Sequence, residues 1–219
     1  NQRRIGNGWR QSDLASLFRC ALPVTDPKAK ENRSKMYQRL LAVGWPTRKW
    51  PAWAHSKMHA ITTRDVEHVA SSAVPCGVEL PKLPSVVNIV LVNGEFSQID
   101  SDYDLLPAGI SFERLTESRQ CYEASLSRLN CDDSPFSQLS MFAAKSGYVL
   151  KVDDGVVCDT PLHIIHVDSG GDVASVRHAY NVISIGKASK VTLVQQYVGN
   201  TEQTPLQNKL THILCEKEA

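Results

Sequence analysis

A chain of 219 residues with 42% hydrophobic and 21% charged residues can bury a sizeable core, which excludes a disordered tail and suits one large domain or two small ones. The net charge is +1 and no basic run is longer than Arg3-Arg4 or Arg48-Lys49, so the field that recruits nucleic acid or an acidic membrane is missing. No apolar run nears the ~20 residues of a membrane-spanning helix and no secretory core opens the chain, so no membrane partner and a cytoplasmic location are expected.

The first third reads as helical. Leu14, Leu17, Phe18, Ala21 and Leu22 make one apolar stripe, which Pro23 ends. Asp26-Pro27 is a cap followed by proline at the first helical position, and Met36, Tyr37, Leu40 and Leu41 give the second helix its apolar face. Gly44 sits where a left-handed C-cap belongs, and Pro46 forbids resumption. Thr47, Arg48 and Lys49 follow, beside Trp45, Trp50 and Trp53, and read as a rigid elbow. A third helix is expected after Thr62, with Asp65 completing a capping box and Val66, Val69, Ala70 and Ala73 on one side.

Pro75, Gly77, Pro81 and Pro84 mark a linker. The expected boundaries are a helical region over 1–75, a linker over 76–85 and a β domain over 86–219. Val86–Val92 reads as a strand, and Asn93-Gly94 as a two-residue turn into Glu95–Ile99. Leu106-Pro107-Ala108-Gly109 turns into Ile110–Leu115. A helical insertion spans about 118–144, with Tyr122, Leu126 and Leu129 in one piece and Phe136, Leu139, Phe142 and Ala143 in the next. Strands are then expected at Tyr148–Val152, Leu162–Val167, Asn181–Ile185, Val191–Val198 and Leu210–Cys215. Their Val, Ile and Leu occupy both faces, as in strands covered on both sides. Short strands with small-residue corners fit a solenoid, and a sandwich is the alternative.

Chemistry-bearing residues are scattered. His163 and His166 form H-x-x-H near Cys158, but strand residues three apart face opposite ways and cannot share an ion without a bulge. Asp168-Ser-Gly-Gly-Asp172 reads as a corner between strands, since no helix follows its glycines. Six cysteines, at 20, 76, 121, 131, 158 and 215, form no C-x-x-C pair and read as reduced thiols. Cys20 and Cys121 are expected in the core, and Cys158 and Cys215 at strand edges. Arg48 and Lys49 are expected to make cation–π contacts that hold the helical region to the sheet. No nucleophile elbow, phosphate loop or H-E-x-x-H occurs, so no catalytic residue is assigned. A β-helix carbohydrate-active enzyme would need paired carboxylates on one face. Asp153 and Asp154 are adjacent and point apart. A nucleic-acid-binding module is the remaining alternative, which the charge disfavours.

Four blocks, taken together, resemble one family. Gly44, Pro46, Thr47, Arg48, Lys49 and Trp53 resemble a G-x-P-T-R-K-x-x-x-W string. Asn88-Ile-Val-Leu-Val-Asn-Gly94, leading to Phe96-Ser97 and Leu106-Pro107-Ala108-Gly109-Ile110, resembles a strand-turn block. Phe136–Tyr148 is similar to a helix preceding repetitive strands. Arg177-His178 through Gly186, Ala188 and Val191–Tyr197 resembles a later strand block, with Gln195 or Gln196 standing where a glutamate is usual. These blocks resemble, in that order, the SufB/SufD family of iron–sulfur assembly scaffolds, and SufD in particular.

The resemblance implies a mainly β fold: an α-helical subdomain followed by a right-handed parallel β-helix starting at about 147–219. It implies a non-catalytic scaffold in the SufBCD complex, pairing with a SufB-like paralogue and a SufC-like ATPase. The iron–sulfur cluster and ATP belong to the full complex, and no cofactor is expected on this stretch, with its metal binding left open. The chain begins at Asn1 and stops at Ala219, so it is expected to be an N-terminal portion lacking the native start and the helices that dock the ATPase. Its uncapped β-helix edge is expected to self-associate.

Overall fold

Asp26 opens the longest helix. Its carboxylate accepts the Ala29 N–H at 2.7 Å, Pro27 takes the first helical position, and the helix runs Pro27–Val43. This is α2, and α1 before it spans Gln11–Cys20. In the computed structural model the described residues are 4–5, 9–56, 67–68, 79–128, 134–169, 175–199 and 206–219. Gly44 closes α2 with its N–H donating to the Leu40 carbonyl at 2.9 Å and with the positive φ, 74°, that favours glycine, although its ψ of −162° lies outside the left-handed helical region. α1 stops short of Leu22 because the Leu22 N–H leaves the helix for the Ala144 carbonyl, at 3.2 Å. Met36 and Leu40 are fully buried, as the periodicity requires. Asn32 and Arg33 are buried as well: Asn32 donates to the Leu126 carbonyl, and the Arg33 guanidinium donates to the Phe18 and Leu22 carbonyls.

Two more α-helices fill the expected insertion, α3 at Arg119–Arg128 and α4 at Pro135–Ala143. Leu129 lies outside the described residues.

The first third is not wholly helical. Arg4–Ile5 (β1) and Trp9–Arg10 (β2) form an antiparallel pair ahead of α1. Of the helix expected after Thr62, Glu67–His68 is instead a short strand, β3, and Thr62, Asp65, Val66, Val69, Ala70 and Ala73 lie outside the described residues.

The remaining described strands form two mixed sheets. In the first, β4 (Val87–Val92) and β10 (Leu193–Gly199) flank β8 (Leu162–Asp168), all parallel, with Leu162 opposite both Val87 and Leu193. β5 (Glu95–Ser97) returns antiparallel to β4. In the second, β6 (Ile110–Arg114) pairs antiparallel with β7 (Tyr148–Val152). β7 and β11 (Leu206–Cys215) lie parallel to β9 (Ser175–Ile185), and β3 pairs with β9 alone. From β7 onward the chain alternates between sheets, and from β9 each strand settles parallel to the one two strands before it. The antiparallel β4–β5 and β6–β7 pairs within the sheets and the four described helices make the arrangement mixed α/β, where the sequence led to a mainly β fold.

Period two decides what each face buries. Leu150, Val152, Leu162, Ile164, Ile183 and Ile185 meet between the sheets. On the far side of the second sheet, Tyr180 and Val182 pack against Met36 of α2, Tyr122 and Leu126 of α3, and Met141 of α4. The far side of the first sheet packs Val90, Val92, Ile165 and Val167 against Leu80. The later part of the expected linker is therefore held down, with Lys82 paired to Asp102 at 3.0 Å. Pro75, Cys76 and Gly77 lie outside the described residues.

Candidate functional site

The elbow forms as the sequence demands but uses different contacts. Trp45 and Pro46 are buried. The Thr47 carbonyl accepts the Trp50 N–H at 2.9 Å, and a 3-10 turn follows at Pro51–Trp53. The rings of Trp45 and Trp53 lie 5.3 and 5.6 Å from that of Phe136, on α4. Thr47, Arg48 and Lys49 are exposed, and among the described residues neither cation lies over a ring. The elbow is thus fastened by aromatic packing to a helix, not by cation–π contacts to a sheet. The motif splits into a packed half, Pro46 and Trp53, and a solvent-facing half.

Asn93 and Gly94 adopt φ of 54° and 91°, the positive pair that a tight hairpin between right-twisted strands requires. Asn93 is 1% exposed, and its backbone N–H donates to the Val167 carbonyl. Its side-chain amide binds Ser169 in both directions. The turn therefore joins β4 to the end of β8 as well as to β5.

His163 and His166 do face opposite ways. His163 Nδ1 lies 2.9 Å from Asn88 Oδ1 and Nε2 lies 3.0 Å from Gln196 Oε1. Asn88 Oδ1 already accepts the Leu83 N–H, so His163 Nδ1 must donate. His166 points between the sheets and stacks on Tyr197, with ring centres 4.5 Å apart and planes 7° from parallel. Gln195 joins the same interior, spanning Tyr148 and Tyr197. Gln195 and Gln196 thus serve different faces of the first sheet.

Sequence reading missed what surrounds His166. The space between the sheets is apolar at one end and polar at the other. At the polar end a cavity of about 440 Å³ is lined by His166, Asp168, Tyr197, Val198, Gly199, Gln207 and Lys209. Asp168 pairs with Arg177 at 3.3 Å, and Gln207 Nε2 donates to it at 3.0 Å. Burial pushes His166 down to about 3, helped by the Lys209 ammonium and opposed by Gln195, so the ring is neutral. Burial also pushes Lys209 down to about 8, opposed by Asp168 and assisted by Arg177. The signal in the sequence is the mixture of Arg177, Gln207 and Lys209 with β-branched and aliphatic neighbours, ahead of the strands expected from Asn181 and Leu210. Gly170, Gly171 and Asp172 of the expected corner lie outside the described residues.

No protein-family model matches this chain, and no curated protein matches it.

The remaining expectations divide. Cys20 is exposed, correcting its core assignment, because α1 turns that side outward. Cys121 is half-buried beside the helix–sheet core, Cys158 is buried with its thiol donating to the Thr160 carbonyl, and Cys215 is exposed at the end of β11. Cys76 and Cys131 lie outside the described residues. Among the described residues no three His, Cys, Asp or Glu side chains converge as metal ligands. Asp153 pairs with Lys151 at 2.7 Å while Asp154 accepts the Lys187 N–H at 2.7 Å, so the two carboxylates have separate local partners. No helix among the described residues is long and apolar enough to cross a membrane.

Proposed function

We propose that this chain is a SufD-like scaffold of iron–sulfur cluster assembly, the N-terminal portion of such a subunit, and that it acts in the cytoplasm by presenting surfaces and not by catalysis. The observation that carries the reading is the wiring from β7 to β11: strands alternate between two sheets, and β9, β10 and β11 each lie parallel to the preceding strand of their own sheet. That wiring is the one expected of a right-handed parallel β-helix, the fold that the four family-like blocks imply.

A scaffold of this kind works through its edges. Among the described residues, β10 and β11 each pair on one side only. Val194, Tyr197 and Ile213 on these strands are exposed. Unpaired backbone beside exposed apolar side chains is a template for another strand. In this reading a SufB-like paralogue takes that edge, a SufC-like ATPase supplies the energy, and the cluster and ATP are held by the full complex.

Co-expression with a SufB-like paralogue and a SufC-like ATPase tests this. The expected result is that the paralogue retains the chain, that Val194→Lys with Ile213→Lys abolishes retention, and that the assembled complex gains iron and sulfide. A chain that is never retained, or is retained equally with both lysines, overturns the proposal.

A further inference from the structure

Lys209 and His166 are held at the polar end of the inter-sheet space by packing and not by partners. Among the described residues the Lys209 ammonium makes no ion pair, and its contact is with the Tyr197 ring, 5.3 Å from the centre. His166 is 2% exposed, yet neither ring nitrogen makes a hydrogen bond of ordinary geometry, because the neighbouring Gln195 amide is turned to Tyr148 and Tyr197. Buried polar groups are ordinarily satisfied, and leaving them otherwise is costly. Neighbouring groups do not need these two: Asp168 is already served by Arg177 and Gln207. Both line the same cavity, beside Val198 and the Tyr197 ring.

We propose that this cavity binds a small monocarboxylate with an apolar body, its carboxylate held by the Lys209 ammonium and the His166 N–H. The body lies against the Tyr197 ring, since the Val198 side chain packs on the outer face of the first sheet. Charge sets the valence. Among the described residues, Lys209 and Arg177 against Asp168 leave one positive charge in excess, which one carboxylate neutralises. A dianion would press its second charge towards Asp168. The site shares β10 and β11, Tyr197 included, with the edge described above, but its ligand needs no partner chain, so a titration of the chain alone is read separately from the co-expression test.

Benzoate is the probe, titrated into the chain while the imidazole nitrogen signals of His166 are followed by NMR. Saturable movement of those signals is expected. Lys209→Met should weaken binding about tenfold or more, the usual loss for a charge-assisted contact, and Lys209→Arg should restore part of it. Lys209→Met removes a half-buried charge and keeps an apolar stem of similar length, so the chain is expected to stay folded, and His166→Gln provides a second variant, also expected to weaken binding. Uncharged benzamide and inorganic phosphate should both bind more weakly than benzoate. The proposal is overturned if benzoate leaves His166 unmoved, if Lys209→Met binds as the parent does, or if benzamide or phosphate equals benzoate.

Discussion

Asn93 and Ser169 exchange two hydrogen bonds across 76 positions of sequence: Asn93 Nδ2 donates to Ser169 Oγ at 2.8 Å, and the Ser169 N–H donates to Asn93 Oδ1 at 3.1 Å. The turn residue therefore has two duties, a positive φ and a tertiary tie. Asn93→Gly keeps the first and loses the second, and should cost about 1–2 kcal/mol. Asn93→Ala loses both and should cost about 1 kcal/mol more, for the strain of a Cβ at positive φ. Urea denaturation of the two variants measures the difference. Equal losses would leave the φ requirement without energetic weight.

Glu123 on α3 caps the approach to α2. Its carboxylate accepts the N–H of Thr25 at 2.6 Å and of Asp26 at 2.9 Å, and the Thr25 hydroxyl as well. Burial opposes ionisation, but these donors outweigh it and hold the carboxyl below its ordinary range. A carboxyl depressed in the folded state stabilises the fold above its unfolded value, near 4.5, and loses that contribution as pH falls through the folded value. Glu123→Gln should cost about 2 kcal/mol at neutral pH and flatten the acid limb of the stability curve. A parent and variant with parallel acid limbs would show that the carboxylate has no such role.

Gly147 and Gly155 both have positive φ, at 134° and 72°, but differ in space. A Cβ on Gly147 would lie 1.9 Å from the Tyr180 carbonyl oxygen, backbone that cannot move aside without disturbing β9, whereas one on Gly155 meets nothing within 4 Å. Gly147→Ala should cost about 3 kcal/mol or more, and Gly155→Ala only the ~1 kcal/mol of the left-handed backbone. Thermal unfolding of the pair provides the test, and similar midpoints would refute the distinction.

The elbow makes an opposite pair of expectations. Trp45 is 5% exposed and lies against Phe136, so Trp45→Ala should cost about 3–5 kcal/mol. Arg48→Ala and Lys49→Ala should fall within about 0.5 kcal/mol of the parent, since both side chains project into solvent. A large loss at either cation would restore the cation–π reading of this segment.

How legible the structure was depended on what each residue could do locally. Asp26, Pro27 and Gly44 mark the ends of α2, and Asn93-Gly94 marks its hairpin, because capping and positive φ are properties of a few neighbouring atoms. β4, β7 and β8 were legible from their aliphatic runs. The first halves of β9 and β11 were not. Arg177, His178, Gln207, Asn208 and Lys209 carry no strand pattern, and their satisfaction comes from distant partners. Asn208 donates to the Phe136 carbonyl on α4, and Arg177 meets Asp168 on another sheet. Both strands therefore begin earlier than Asn181 and Leu210, where the aliphatic pattern starts. The early part of β11 brings Gln207 and Lys209 into the polar cavity, whose other lining residues stand on the expected strands β8 and β10.

The division of the inter-sheet space into an apolar and a polar end gives β9 a direction of fraying. Its Ile183 and Ile185 are sealed among aliphatic neighbours, whereas Arg177 borders a compartment that solvent can enter. Native-state hydrogen exchange should accordingly sort amides along this single strand, with those near Ile183 outlasting those near Arg177. Transient opening would then travel from the wet end towards the oily one, releasing the start of β11 before the middle of the molecule loosens.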